Sequence, residues 1–371
     1  MAPRGTAMKD WRAVHNLLCV RLDSVGDVLM SGPAIRAMTP GRRVTLLTSP
    51  AGAAMARLMP EIDETIVYEP PWMKATPPAA DAASDLAMIE RLRRLRYDAA
   101  VIFTVFSQSP LPAALLCRLA GIPLRLAHCR ENPYALLTDW VREPEPQELV
   151  RHEVRRQLDL VGAIGARARD ERLRVMVPQH ARDRIHALLA AAGVDDATDW
   201  VLVHPGSTAP SRRYPPARFA DACRALAREH GAALVFSGDE RELELVERIR
   251  AACDCPSVSF AGRLELAELT ALIAAAPVLL AGNTGPVHLA AATGTPVVDL
   301  YALTNPQHTP WQVPSFVLFN DVPCRWCYKS VCPEGHHLCL AGVSPDTVVS
   351  AVLALLRGER SEYFSQPLEL G

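Results

Sequence analysis

Short apolar runs rich in Val, Ile and Leu alternate with Ala-, Leu- and Arg-rich stretches of helical period along almost the whole chain, and this alternation limits the fold more than any other feature. A short apolar run suits a strand buried on both faces, and the amphipathic stretch after it supplies the crossover helix that parallel pairing requires. In the first half, residues 17–22, 44–48, 65–68 and 99–105 read as strands, and 33–38, 86–95, 112–119 and 150–161 as helices. A polar, arginine-rich stretch ends at Pro178, and the pattern then restarts. It runs as helix 182–192, strand 200–204, helix 216–229, strand 233–237, helix 241–251, strand 258–260, helix 267–275, strand 278–281, a glycine turn leading into a helix, and strand 296–301. A last helix begins with Ser344 as N-cap and Pro345 at the first helical position. A chain of 371 residues exceeds one typical core. The expectation is therefore an α/β protein of two doubly wound, Rossmann-like domains facing a cleft and joined near residues 170–180. The Pro-rich pieces 69–80 and 143–147 read as loops.

Composition removes several function classes. The formal net charge is −2, so the chain is not a general nucleic-acid binder. Arginine clusters locally at Arg91, Arg93, Arg94 and Arg96, and again at Arg151, Arg155 and Arg156. These are solvated helix faces or, alternatively, a surface that meets an anionic membrane or acceptor. No run of about 18 apolar residues occurs, so no membrane-spanning helix is expected. Residues 1–11 lack a signal-peptide core, which points to a cytoplasmic protein, with peripheral contact at the inner membrane left open. In that compartment the ten cysteines are expected as reduced thiols or metal ligands rather than disulfides.

Four segments carry chemistry. The first is Ala281-Gly-Asn-Thr-Gly-Pro-Val-His288, where a strand passes through a glycine turn into a helix with Pro at its start. Free backbone N–H groups and the helix dipole make such a turn an anion site, as well as an ordinary strand-to-helix connection. The second, Val20 to Leu29, contains Gly26 and Asp27 after the first strand. A carboxylate there caps the helix, or it accepts a proton from a substrate hydroxyl. No Gly-x-Gly-x-x-Gly is present. In the third, Val203 to Pro215, Gly206, Ser207 and Thr208 offer donors, while Arg212 and Arg213 offer charge suited to a diphosphate. His204 reads as the end of its strand. The fourth is Phe236-Ser-Gly-Asp-Glu-Arg-Glu242, whose acids favour a helix start or bind ribose hydroxyls.

Together these segments resemble glycosyltransferase family 9, the heptosyltransferases of bacterial lipopolysaccharide assembly. The resemblance runs from residue 17 to about 356. It rests on the order and spacing of Ser-Val-Gly-Asp at 24–27, His-Pro-Gly-Ser at 204–207, Ser-Arg-Arg-Tyr-Pro at 211–215, Phe-Ala-Gly-Arg-Leu at 260–264 and Gly-Asn-Thr-Gly-Pro-Val-His-Leu-Ala-Ala at 282–291. It implies the GT-B architecture. An acceptor-binding domain would cover 1–175 and a nucleotide-sugar domain 176–343, with a helix and tail over 344–371 packing back toward the first domain. The implied activity is inverting transfer of heptose from ADP-L-glycero-D-manno-heptose to a lipopolysaccharide-core or related glycan, lipid-linked or protein acceptor. By motif, Asp27 matches the general base and Arg212 falls where the family usually has lysine, facing the donor diphosphate beside Arg213, Ser207 and Thr208. Glu240 matches an acid on ribose, Leu264 lies where backbone meets adenine, and Thr284, Gly285 and His288 match the phosphate turn. Asn283 stands where the family commonly has Asp, which removes a metal-binding carboxylate. Phosphates held by N–H groups and arginines would stabilise the leaving ADP without a metal. No cofactor for the chemistry is expected, and magnesium dependence is left open.

One feature departs from the best-known core heptosyltransferases. Cys324, Cys327, Cys332 and Cys339 fall within the loop 324–339 beside His336 and His337. This spacing suits a structural zinc or iron knuckle, or else a loop of reduced thiols. Trp326 and Tyr328 would then face a partner subunit, as in a homo-oligomer, or the acceptor. The rival readings are transfer of another nucleotide sugar, protein glycosylation, and a non-catalytic nucleotide-sugar-binding or metal-knuckle assembly protein.

Overall fold

A computed structural model describes residues 10–74, 76, 81–194 and 199–359. They divide into two compact units after Glu171. In the first unit six strands, β1 (Asn16–Arg21), β2 (Arg43–Thr48), β3 (Glu64–Val67), β4 (Ala99–Ile102), β5 (Leu124–Cys129) and β6 (Asp139–Arg142), form one parallel sheet in the order β3-β2-β1-β4-β5-β6. Helices α1 (Val25–Met30), α2 (Gly32–Met38), α3 (Pro50–Ala56), α4 (Ala83–Leu95), α5 (Leu111–Leu119) and α6 (Glu153–Gly162) connect and flank it. The central strands are buried on both faces, as parallel pairing requires: Leu17, Leu18, Cys19 and Val20 are each at most 1% exposed. One core cluster joins Leu18, Val20, Ile102 and Ala127 to Met88 and Leu92 of α4 and to Ala114 and Cys117 of α5.

The second unit repeats the plan with β7 (Trp200–His204), β8 (Ala233–Phe236), β9 (Ser257–Ser259), β10 (Leu279–Gly282), β11 (Val297–Leu300) and β12 (Ser315–Leu318). They pair in parallel in the order β12-β11-β10-β7-β8-β9. Its helices are α7 (Gln179–Ala191), α8 (Pro216–His230), α9 (Leu243–Cys253), α10 (Leu266–Ala275), α11 (Gly285–Thr293), α12 (Leu338–Ala341) and α13 (Pro345–Leu356). Counted within its own unit, each sheet has the order 3-2-1-4-5-6 of dinucleotide-binding folds. The strand order reverses beside β1 in one unit and beside β7 in the other.

The expected class, two doubly wound α/β units, is observed, with two corrections, one to the strand set and one to a pair of cysteines. The described helix of segment 344–371 is part of the second unit. α13 packs on α8, β11 and β12, and its Val348, Val349, Val352 and Leu355 belong to the second unit's core. Residues 360–371 of that segment lie outside the described residues. Next, the sheets contain three strands beyond the expected set, β5, β6 and β12. Finally, Cys253 and Cys255, expected as separate thiols, form a disulfide. Asp254 between them adopts left-handed backbone at φ 50° as the C-cap of α9, which folds the second cysteine back on the first.

Candidate active site

Open α/β sheets bind ligands beyond the carboxyl ends of their strands, where the strand order reverses. In the first unit that point carries Arg21, the last residue of β1, and the turn into α1. Ser24 is the N-cap and Asp27 the third helical residue. The Asp27 carboxylate accepts from the Ser24 backbone N–H at 3.3 Å and the Ser24 hydroxyl at 2.7 Å, so Asp27 is not the N-cap itself but its partner at the third helical position. It also accepts from the Arg21 guanidinium at 3.1 Å and keeps 20% side-chain exposure. Arg21 is fully buried and bridges three carboxylates: Asp23 at 2.9 Å, Asp27 at 3.1 Å and Glu153 at 2.9 Å.

This cluster continues inward from α6. Glu153 accepts from Gln157 at 2.5 Å, and Arg156 pairs with Glu143. Asp23 accepts from Gln108 at 2.6 Å. Burial pushes the Asp23 carboxyl up to about 6, with Arg21 opposing and the Asp27 charge adding. His128, bonded to the Arg156 carbonyl at 3.1 Å, is driven down to about 3 by burial and then by the Arg156 charge. Arg21 and Asp23 lie within the segment Val20 to Leu29 that carries Asp27, whereas Gln108 and Glu153 belong to none of the four motif segments.

In the second unit the strand order reverses between β7 and β10, which pair with Ala281 opposite His204. His204 ends β7 buried, its Nδ1 3.0 Å from the Ser237 hydroxyl and its Nε2 3.6 Å from Glu242. Burial lowers its pKa, so it is a neutral strand end as expected. A Cβ at Gly206 would overlap the Glu242 carboxylate, the far end of a flexible side chain that would have to move aside. Ser207 is buried with no hydrogen-bond partner for its hydroxyl, and Thr208 is exposed. The Arg213 Nε donates to the Ser207 carbonyl at 2.8 Å and braces the loop. Arg212 ends the short 3₁₀ turn Pro210–Arg212, its Nε buried without a hydrogen-bond partner.

The glycine turn meets this loop directly. A Cβ at Gly282 would lie 2.9 Å from the Arg212 carbonyl oxygen, so the two segments are in backbone contact. Thr284 is the N-cap of α11, and its side chain makes no capping hydrogen bond. The positive end of α11 therefore keeps its N–H groups for an anion. His288 is buried on the same helix. The side chain of Asn283 is committed elsewhere: its Nδ2 donates to the Ala302 carbonyl at 3.0 Å and its Oδ1 accepts from the Ala302 N–H at 3.2 Å. Aspartate could not make the first of these bonds, which gives the Asp-to-Asn departure a local structural reason. Asp299 on β11 is fully buried with neither oxygen hydrogen-bonded. Burial raises its pKa well above the usual carboxylate range, with the Arg212 charge opposing. Glu240 is exposed in the 3₁₀ turn after β8, and Leu264 is half-buried after β9.

The four cysteines of the loop are neighbours. Cys324 Sγ lies 3.8 Å from His336 Nε2, and the Cys339 thiol is raised first by burial and further by Cys332, Cys324 and Cys327. Among the described residues no three such side chains converge as a ligand set. The donor chemistry fits zinc or iron. A separate cavity of about 610 Å³ in the second unit, lined in part by Arg182, His186, Trp200 and Thr293, lies at the amino end of β7, away from these turns. Among the described residues no helix is long and apolar enough to cross a membrane.

Comparison with known proteins agrees with this geometry. Residues 86–338 match the family model of glycosyltransferase family 9 (heptosyltransferase). The chain is 25% identical over 351 residues to lipopolysaccharide heptosyltransferase 2 of Escherichia coli K12, covering 91% of this chain and 97% of that one. A shorter match, 42% identical over 86 residues, spans 23% of this chain and 25% of the lipopolysaccharide core heptosyltransferase OpsX of Haemophilus influenzae. The solved structure of E. coli ADP-heptose lps heptosyltransferase II superposes with a TM-score of 0.71 at 23% identity, covering 92% of this chain and 99% of that one. Two parallel sheets of the same strand order and a family match over more than half the residues lead to one conclusion: the chain belongs to glycosyltransferase family 9 (heptosyltransferase) and is a glycosyltransferase of GT-B fold.

Proposed function

We propose that the chain is an inverting transferase that moves a heptose from ADP-heptose to a lipopolysaccharide-core or related glycan acceptor. The observation that carries this reading is the backbone contact between the Arg212 turn and Gly282 at the start of α11. We assign two kinds of donor for an anion to this region of the second unit, the Arg212 guanidinium and the backbone N–H groups of α11. In the proposed step the Asp27 carboxylate takes the proton of the acceptor hydroxyl as its oxygen attacks the anomeric carbon. The bond from that carbon to the diphosphate breaks, and ADP leaves with the electron pair. Arg212, Arg213 and the N–H groups at Thr284–Gly285 stabilise the charge that develops. Glu240 and Leu264 are assigned to ribose and adenine. Asn283 brings no carboxylate, so transfer is expected to persist in chelator.

The test is thermal shift followed by transfer assays. ADP is expected to raise the melting temperature where UDP and GDP do not, because a ligand that binds only the native state stabilises it. Asp27→Ala should keep the ADP shift and lower transfer at least ~100-fold, the scale of a lost general base. Equal turnover in both proteins removes Asp27 as base.

We also propose that the thiolates of Cys324, Cys327, Cys332 and Cys339 close on one structural zinc or iron ion. Protein purified without chelator is expected to carry about one metal per chain, a tetrahedral Cys₄ site holding one ion. Cys327→Ser should lose it. Metal-free wild-type protein rules the knuckle out.

A further inference from the structure

The cysteine-rich loop touches the Arg212 turn at one place and the loop after β11 at another, and the reading above leaves both contacts unused. The Ser211 N–H donates to the Ser330 carbonyl at 3.0 Å, and Ser211 directly precedes Arg212 in its 3₁₀ turn. Two residues earlier in the loop, the Tyr328 N–H donates to the Leu303 carbonyl at 2.9 Å, and its phenol oxygen accepts from the Asn305 N–H at 3.2 Å. Asn305 is gripped from its other side as well, since its carbonyl accepts from the Tyr301 hydroxyl at 2.5 Å. Leu303 follows Ala302, whose backbone makes both bonds to Asn283, the residue before Thr284. Three consecutive residues, 328–330, therefore link the turn that carries Arg212 to the loop that locks the Asn283–Thr284 turn. The shape of this link is specified. Trp326 and Tyr328, on either side of Cys327, both hold left-handed backbone at φ 61° and 56°. Residues with a Cβ keep such a conformation only where surrounding contacts enforce it.

We propose that Tyr328–Ser330 is a strut that sets the two donor-binding turns at the separation a diphosphate requires, with Tyr328 as its positioning residue. The strut rests on the reading that Arg212 and the Thr284–Gly285 turn hold a nucleoside diphosphate. It acts through two backbone hydrogen bonds and the Tyr328 phenol, so it tunes affinity without supplying a charge to the ligand.

Tyr328→Phe in the full chain removes the one oxygen that Asn305 uses and keeps the ring. Calorimetric titration with ADP is expected to show the Kd raised about three- to tenfold, the yield of one neutral hydrogen bond. The melting temperature without ADP should fall by no more than about 4 °C. Hydrogen exchange at the amides of residues 209–213 should quicken in the variant. A packing role alone would lower the melting temperature and leave both the Kd and the exchange at 209–213 at wild-type values, and that result overturns the strut. If wild-type protein fails to bind ADP, the donor reading has failed, and the exchange measurement still decides the strut: unchanged protection at 209–213 rejects it.

Discussion

Arg21 sets the chemistry of the first unit, although in the sequence it is only the last residue of a strand. One buried guanidinium faces three carboxylates, Asp23, Asp27 and Glu153. Removing it would leave buried charges unpaired, a loss of about 3–5 kcal/mol. The same surplus of negative charge, together with burial, explains why Asp23 is pushed up to about 6. As pH falls through that value Asp23 takes up a proton, Arg21 loses one partner and bears more strongly on Asp27, and Asp27 becomes a poorer base. The kcat/KM of wild-type enzyme should therefore fall below about pH 6, while Asp23→Asn, which fixes the neutral state, should flatten that limb. The stability sign is also set. A carboxyl whose folded pKa lies above its unfolded value near 3.9 stabilises the fold below that value, and its contribution is lost as pH rises through about 6. Asp23→Asn should thus be more stable than wild type at pH 7.5 by roughly 1–3 kcal/mol, with the gap closing toward pH 4. Thermal melts at the two pH values check it, and a variant less stable at pH 7.5 would contradict it. Asp27, Arg212 and Asn283 could be singled out from short motifs, because the residues of each motif are neighbours in the sequence. Glu153 could not, since it meets Arg21 from 132 residues away. Asp299 was equally hidden, because its isolation is a property of the folded sheet.

At the scale of elements, legibility followed burial. The central strands β1, β2, β7, β8, β10 and β11 are apolar runs enclosed on both faces, and each was readable to within about two residues. β5 escaped because Arg125 and His128 interrupt its apolar run. Inside the fold these polar groups are satisfied: the Arg125 side chain donates to the carbonyls of Leu136 and Ala135, and His128 meets the Arg156 carbonyl. β6 escaped because it is an edge strand, with Trp140 47% exposed, and so lacks a continuous apolar signal. Short helices α1 and α3 are too brief for a helical period to show and are fixed instead by their N-cap serines, Ser24 and Ser49, after strands. The two donor-side glycines differ. At Gly282 the Arg212 backbone carbonyl lies so close that a side chain would collide with it, whereas at Gly206 the neighbour is the movable Glu242 carboxylate.

At the scale of the whole molecule, each unit closes its own six-stranded sheet around its own core, and all the residues assigned to the donor lie in the second. The alternation of strands and helices was enough to foresee two such units, because a parallel sheet needs a crossover for every strand. The ownership of the last helix was not foreseeable, since an apolar helix face does not name its partner. The helix's place in the second core has a consequence for where the chain can be cut. A fragment spanning 172–371 contains every strand of its sheet and α13, and it should fold cooperatively and bind ADP within about tenfold of the full chain, because the donor contacts are internal to it. A fragment ending at 343 lacks Val348, Val349, Val352 and Leu355, four side chains of the second core. Their burial contributes roughly 6–12 kcal/mol at about 1.5–3 kcal/mol each, comparable with the whole stability of a typical domain. The shorter fragment should therefore show no cooperative melt by circular dichroism and no ADP binding by calorimetry. A cooperative melt from residues 172–343 would return α13 to the role of an appendage, and an unfolded 172–371 would mean that the second unit depends on the first for its stability.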